Sequence, residues 1–159
     1  MITTFFGAGL LKPAPGTWAS AIAVLLGLGI YRIGHFPLLF ISMLAMTALG
    51  FWACERALKP GEDPSEVVID EVAGQWLALC FPAFGFWWVG LGTDSFPYPG
   101  WVAAFVLFRL FDIWKPWLVG RADRRGDAKG VMLDDLYAGL FAGLGTILLA
   151  AVFHAVILL

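Results

Sequence analysis

The sequence predicts an all-α, polytopic helical membrane bundle with about five membrane-embedded segments, in a single domain over residues 1–159. Three observations predict it. Hydrophobic residues make up 60% of the chain and charged residues 14%, whereas a soluble domain carries about 25% charged residues, enough to cover a surface in water. Mean hydropathy is +0.83. The apolar residues also gather into five runs separated by polar or Pro/Gly-rich stretches, and a spanning helix needs roughly 20 such residues.

The first run, from about Thr17 to Tyr31, is short for a span, so it is expected to tilt, to thin the bilayer locally or to re-enter. The second runs from about Phe36 to Cys54. The third starts near Val67 and continues to Thr93, with Asp70 and Glu71 in its first turns. Before it, Asp63-Pro64-Ser65-Glu66 has the form of an N-cap, a proline at N1 and a glutamate at N3. The fourth covers about Tyr98 to Val119 and contains Arg109, Asp112 and Lys115, with Pro116 expected to kink or stop it. Gly126 to Gly130 is a polar loop, and the fifth run continues from near Val131 to Leu159. The apolar patch Phe5 to Leu11 is short and has no basic residue before it, which does not match a signal peptide.

With a cytoplasmic N-terminus and every run crossing, all charged residues except Arg32 and Asp94 fall at the inner face. The basic share of that asymmetry follows the positive-inside rule; the acidic share does not and needs its own cause. Trp18, Trp52, Trp114 and Trp117 are expected at the inner interface and Trp87, Trp88 and Trp101 at the outer one, with His35 and His154 interfacial. The net charge of −2 gives no basic field for nucleic acid. Cys54 and Cys80 lie in apolar stretches without metal-binding spacing and read as small buried residues.

Ionisable side chains in membrane segments cost several kcal/mol and mark function. Three clusters qualify. Asp63, Glu66 and Asp70 share a helical stripe continued by Gly74, with Glu71 about 100° away. Capping accounts for Asp63 and Glu66 but not for Asp70 and Glu71, which lie deeper. Arg109, Asp112 and Lys115 recur at i, i+3 and i+6, either as an internal salt-bridge ladder or as a cationic clamp for phosphate. Asp134 and Asp135 sit just inside the last run, where one aspartate suffices for a helix N-terminus. Together these supply oxygen ligands for Mg2+, which is commonly held by a few carboxylates plus substrate phosphate oxygens. Without a metal the same carboxylates repel a phosphate, so the two inferences stand together. Lys12, Thr17 and the free amides at the start of the first run can meet an anion.

Absent features narrow the chemistry. Neither cysteine is followed by arginine six positions on, no Asp-x-Asp-x-Thr occurs, and both histidines lie toward the outer face. Cysteine- and histidine-nucleophile phosphatases are thereby disfavoured. The residues alone point to a magnesium-dependent phosphatase of a phospholipid headgroup. The rival class is a small ion- or proton-coupled transporter, whose carboxylates belong near the midplane; the almost charge-free outer half opposes it. A non-catalytic assembly subunit, with Gly139-x-x-x-Gly143 as a helix contact, leaves the deep carboxylates without a purpose.

Four segments then carry a resemblance: Gly9-Leu10-Leu11-Lys12-Pro13-Ala14-Pro15-Gly16-Thr17, Val68 to Trp76 (VIDEVAGQW), Phe108 to Pro116 (FRLFDIWKP) and Gly130 to Gly139 (GVMLDDLYAG). In this order and spacing the chain resembles the phosphatidylglycerophosphatase A family nearly end to end. Leu118, where a proline is usual, and Ala19, where glycine is common, depart from the pattern without removing a charge. The resemblance implies hydrolysis of the terminal phosphate of phosphatidylglycerophosphate to phosphatidylglycerol, dependence on Mg2+, and a multi-pass place in the bacterial inner membrane. An active site on the cytoplasmic side agrees with a substrate made on that leaflet. Asp63, Asp70, Glu71, Arg109, Asp112, Lys115, Asp123, Asp134 and Asp135 match positions the family keeps polar. On this reading some of Asp70, Glu71, Asp134 and Asp135 hold the metal. Arg109 and Lys115, with Lys12 and Thr17, take the phosphate; Asp112, Asp63 or a metal-bound water acts as base or nucleophile.

Overall fold

The computed structural model describes residues 2–59, 64–95 and 98–157. A 3-10 turn over Phe5–Leu10 leads to five α-helices: α1 Pro15–Ala57, α2 Ile69–Trp88, α3 Tyr98–Trp114, α4 Leu118–Asp123 and α5 Ala128–Ile157. No strand occurs among the described residues. Of these helices α1 and α5 are long and apolar enough to cross a bilayer, against the five segments expected. α3 is only 17 residues long, and α2, at 20, carries Asp70 and Glu71 in its first turn.

The first two apolar runs form α1 together, but its helical geometry fails at Gly34 and His35. His35 adopts φ 57°, ψ −155°, a conformation costly for a residue with a Cβ. Its ring compensates. Nδ1 accepts the Phe36 amide at 2.9 Å, and Nε2 lies 2.8 Å from the Leu91 carbonyl oxygen. Pro37 follows, where the absence of an amide hydrogen does no harm. The chain reverses here. Gly16 lies against Glu71 at the start of α2, Phe36 against Trp87 at its end, and Gly50 against Ile69 and Met132 back at the start. His35, expected at the outer face, is buried in the protein at the end away from the acidic residues.

The capping pattern at Asp63–Glu66 does not open α2. Pro64 to Val67 forms a turn closed by the Val67 amide on the Pro64 carbonyl, and the helix begins at Ile69. The exposed Glu66 is consequently off the stripe that Asp70 and Gly74 occupy, and Asp63 lies outside the described residues. α3 ends at Trp114, as Pro116 requires. Lys115 and Trp117 then take φ 50° and φ 43°, and the short helix α4 follows, unannounced by the hydropathy pattern. The expected loop at Gly126–Gly130 is shorter, because α5 begins at Ala128. Asp127 caps it, accepting the Gly130 amide at 2.7 Å while Arg125 holds both carboxylate oxygens at 3.1 and 2.9 Å. Those bonds, the arginine's first, lower the Asp127 pKa to about 2.

The core packs α2 against the other helices through Val72, Trp76, Leu79 and Ala83, with Tyr31, Leu39, Trp101 and Phe108 facing them. Trp76 donates its indole N–H to the Ala23 carbonyl at 2.8 Å. Trp101 is 1% exposed and packs edge-on against Tyr31, so it belongs to this core and not to an interfacial belt. Trp18, Trp52, Trp87, Trp88, Trp114 and Trp117 are exposed, as a belt requires. Two glycines bring α2 and α5 into backbone contact. A Cβ on Gly139 would strike the Gly74 carbonyl, and one on Gly74 would lie 2.7 Å from the Phe108 ring. That close crossing sets Asp135 beside Asp70 and Glu71.

Candidate active site

One cavity of about 320 Å³ collects the starts of α1, α2 and α5 and the end of α3. Gly16, Thr17, Asp70, Glu71, Arg109, Asp112, Lys115, Asp134 and Asp135 line it. Of the described residues singled out from the sequence, Lys12, Glu66 and Asp123 are exposed and do not line the cavity. The clusters thus meet in one place despite separations in sequence of up to about 120 residues.

Within the cavity the charges sort into two sets. Asp70, Glu71 and Asp135 each offer one carboxylate oxygen within 4.8 Å of the others. Among the described residues no lysine or arginine ion-pairs with any of the three, and Glu71 Oε2 and Asp135 Oδ1 are buried without a hydrogen-bond partner there. Buried carboxylate oxygens left this way are costly, and a hard divalent cation taking oxygen ligands fits the set. Asp134, expected in the same set, turns the other way: its Oδ2 accepts from Lys115 Nζ at 2.9 Å. Adjacent helical residues diverge by about 100°, so one of the pair faces α2 and the other faces the α3–α4 turn.

The second set is cationic. Arg109 Nη1 pairs with Asp112 Oδ2 at 2.7 Å, both side chains being 15% exposed. The same Nη1 donates to Ser20 Oγ at 3.4 Å, and Ser20 in turn donates to the Gly16 carbonyl at 2.8 Å. Arg109 Nε is buried without a hydrogen-bond partner among the described residues. Lys115, in the left-handed conformation that ends α3, reaches both Asp134 on α5 and Asp123 on α4. The i, i+3, i+6 pattern is therefore only in part an internal ladder: Arg109 and Asp112 pair along α3, but Lys115 pairs across to other helices. α1 contributes backbone. A Cβ on Gly16 would collide with Glu71 Oε1 and lie 3.3 Å from Arg109 Nη1, so a side chain there would have to displace the Glu71 carboxylate.

Sequence reasoning missed Ser20, Asp123 as partner of Lys115, and Gln75. Ser20 is a buried hydroxyl one turn from Gly16, and that i, i+4 spacing on an apolar run was its signal. Gln75 is fully buried with neither amide atom bonded, one turn beyond Glu71; an amide inside an apolar run carried the same signal.

The family described as Phosphatidylglycerophosphatase A matches residues 1–150. A protein of Bacteroides thetaiotaomicron provisionally named a phosphatidylinositol-3-phosphatase is 34% identical over 150 residues, covering 89% of this chain and 87% of that one. The proteins named Phosphatidylglycerophosphatase A of Haemophilus influenzae and Escherichia coli are 30% and 31% identical. Each alignment covers 89% of this chain, and 82% and 77% of those relatives. No solved structure matches. The chain belongs to the phosphatidylglycerophosphatase A family.

Proposed function

We propose that this protein is a Mg2+-dependent lipid phosphatase that hydrolyses the terminal phosphate monoester of phosphatidylglycerophosphate, giving phosphatidylglycerol and inorganic phosphate. Its place is the bacterial inner membrane, crossed by both arms of α1 and by α2, α3 and α5, with the cavity open to the cytoplasm. The observation that carries this reading is the meeting of three metal-competent carboxylates with Arg109 and Lys115 in one cavity. Family membership and the two relatives named for this activity support it.

Asp70, Glu71 and Asp135 would hold the metal. A Mg2+ held by them would supply Lewis-acid stabilisation of the charge on the phosphate. Arg109 offers its unpartnered Nε to the phosphate, with its fork fixed by Asp112 and Ser20. Lys115 adds positive charge, restrained by Asp123 and Asp134. Gly16 and Thr17 at the start of α1, where helix amides are free for an anion, line the same space. In the net reaction the phosphorus–glycerol oxygen bond breaks, water supplies the new P–O bond, and the lipid alkoxide leaves with a proton.

The most identical of the relatives above favours a second substrate, a phosphatidylinositol 3-phosphate. One experiment separates the two. Purified protein in nanodiscs is given each lipid, with Mg2+ and with excess EDTA, and phosphate release is followed. Release from phosphatidylglycerophosphate is expected, falling more than about a hundredfold in EDTA. Faster release from the inositol lipid would reassign the substrate, and no release from either lipid would reject the reading.

A further inference from the structure

A second cavity, of about 200 Å³, lies between α4 and α5 and shares no lining residue with the first. Arg121, Arg125 and Tyr137 line it together with the apolar Leu118, Ala122 and Leu133, and no carboxylate among the described residues does. Asp127 occupies Nε and Nη2 of Arg125 from outside and leaves Nη1. Arg121 has no ion-pair partner among the described residues, and the Tyr137 hydroxyl makes no hydrogen bond among them. Two guanidinium groups and a phenol inside one concavity are donors waiting for an acceptor-rich anion, and guanidinium matches the geometry of phosphate.

The surroundings say what carries that anion. Leu118 in the lining is 43% exposed, and Trp117, next to it in the chain, is 76% exposed. A free ion gains nothing from such a border. An amphiphile does, with its headgroup among cations and its chains along apolar side chains, as at a membrane–water interface. We propose that this cavity binds the phosphodiester headgroup of an anionic phospholipid that is not the one being hydrolysed. The lipid lies outside the catalytic cavity, against the same short helix whose Asp123 holds Lys115.

The test is a binding titration of the full chain in non-ionic detergent, read by native mass spectrometry. The probes are phosphatidylserine, which carries no monoester to hydrolyse, and phosphatidylcholine. Phosphatidylserine is expected to bind the wild type, and Arg121→Gln combined with Tyr137→Phe to weaken it about tenfold or more. Arg121→Glu should weaken it further, and none of these changes should alter phosphatidylcholine binding. Both side chains are at least partly exposed, and an unchanged elution profile confirms folding. Equal affinity of wild type and variants for phosphatidylserine overturns the proposal. So does loss of binding on Arg109→Gln alone, which would put the lipid in the first cavity. Displacement of phosphatidylserine by inorganic phosphate at equal concentration would make free phosphate the ligand and overturn the lipid assignment. The readout needs no turnover, so it stands or falls separately from the phosphatase reading.

Discussion

Asp134 and Asp135 show what a sequence can and cannot reveal about single residues. That both belong to a shared polar cavity was legible, because carboxylates are expensive in an apolar run. Which one faces the metal-competent group was not, since that depends on where α2 and α3 pack around α5. The structure sends Asp135 to Asp70 and Glu71 and Asp134 to Lys115. The two substitutions should therefore differ. Asp135→Asn is expected to raise the Mg2+ concentration for half-maximal activity by more than about tenfold. Asp134→Asn should leave that concentration within about twofold and act on the lipid KM, through a lysine held by Asp123 alone. Equal shifts in Mg2+ requirement would merge the two roles. At Asp127 the readout is pH. Its folded pKa of about 2 lies below the ordinary carboxylate value of about 4. The cap therefore contributes stability that is complete above that ordinary value and is lost as pH falls toward 2. Amide exchange at Gly130 should accelerate across this window, and Asp127→Asn should remove the pH dependence.

The five apolar runs were legible as elements, and each lies mainly in a helix. Their joints were not. Gly34-His35-Phe36-Pro37 reads as a gap between two helices, yet the reversal rests on an imidazole bonded to the next amide and close to a carbonyl far along the chain. No hydropathy window reports a long-range bond of that kind. α4 was hidden because six residues with an arginine and an aspartate carry no periodic signal. Gly139 lies in a Gly-x-x-x-Gly pattern that packing within one chain explains as well as assembly does, and its partner is Gly74 on α2 of the same chain. The obstacle to a side chain there is backbone oxygen, which cannot swing aside. Gly139→Leu is thus expected to spread α2 from α5 at a cost of about 1–3 kcal/mol. Because Asp135 rides on that crossing, thermal midpoint and phosphate release should fall together. A lowered midpoint with full activity would show that the carboxylate group does not need the close approach.

Across the whole molecule, the chain runs back and forth between two unlike ends. At one, Gly16, Glu71, Arg109 and Asp135 share a cavity; at the other, Tyr31 donates to the Ser95 carbonyl and His35 meets the Leu91 carbonyl in an almost uncharged layer. The apolar sides between them remain exposed, with Leu25, Ile33, Val106, Leu148 and Phe153 among the residues facing out. A belt of that kind over two long apolar helices suits lipid better than water. Arg121, Arg124 and Lys129 are exposed at the cavity end, and the positive-inside rule would turn an end of that charge toward the cytoplasm, as the proposed function requires. Cys54 and Cys80 are buried, so a cysteine placed at exposed Lys129 or Asp94 would dominate labelling by a membrane-impermeant maleimide. In intact spheroplasts Asp94→Cys should react at once, and Lys129→Cys only after the membrane is opened. The ends of the bundle can face opposite compartments only if the helices between them cross the bilayer. Reaction of both positions from outside would leave the cavity on the wrong side for a lipid made on the inner leaflet.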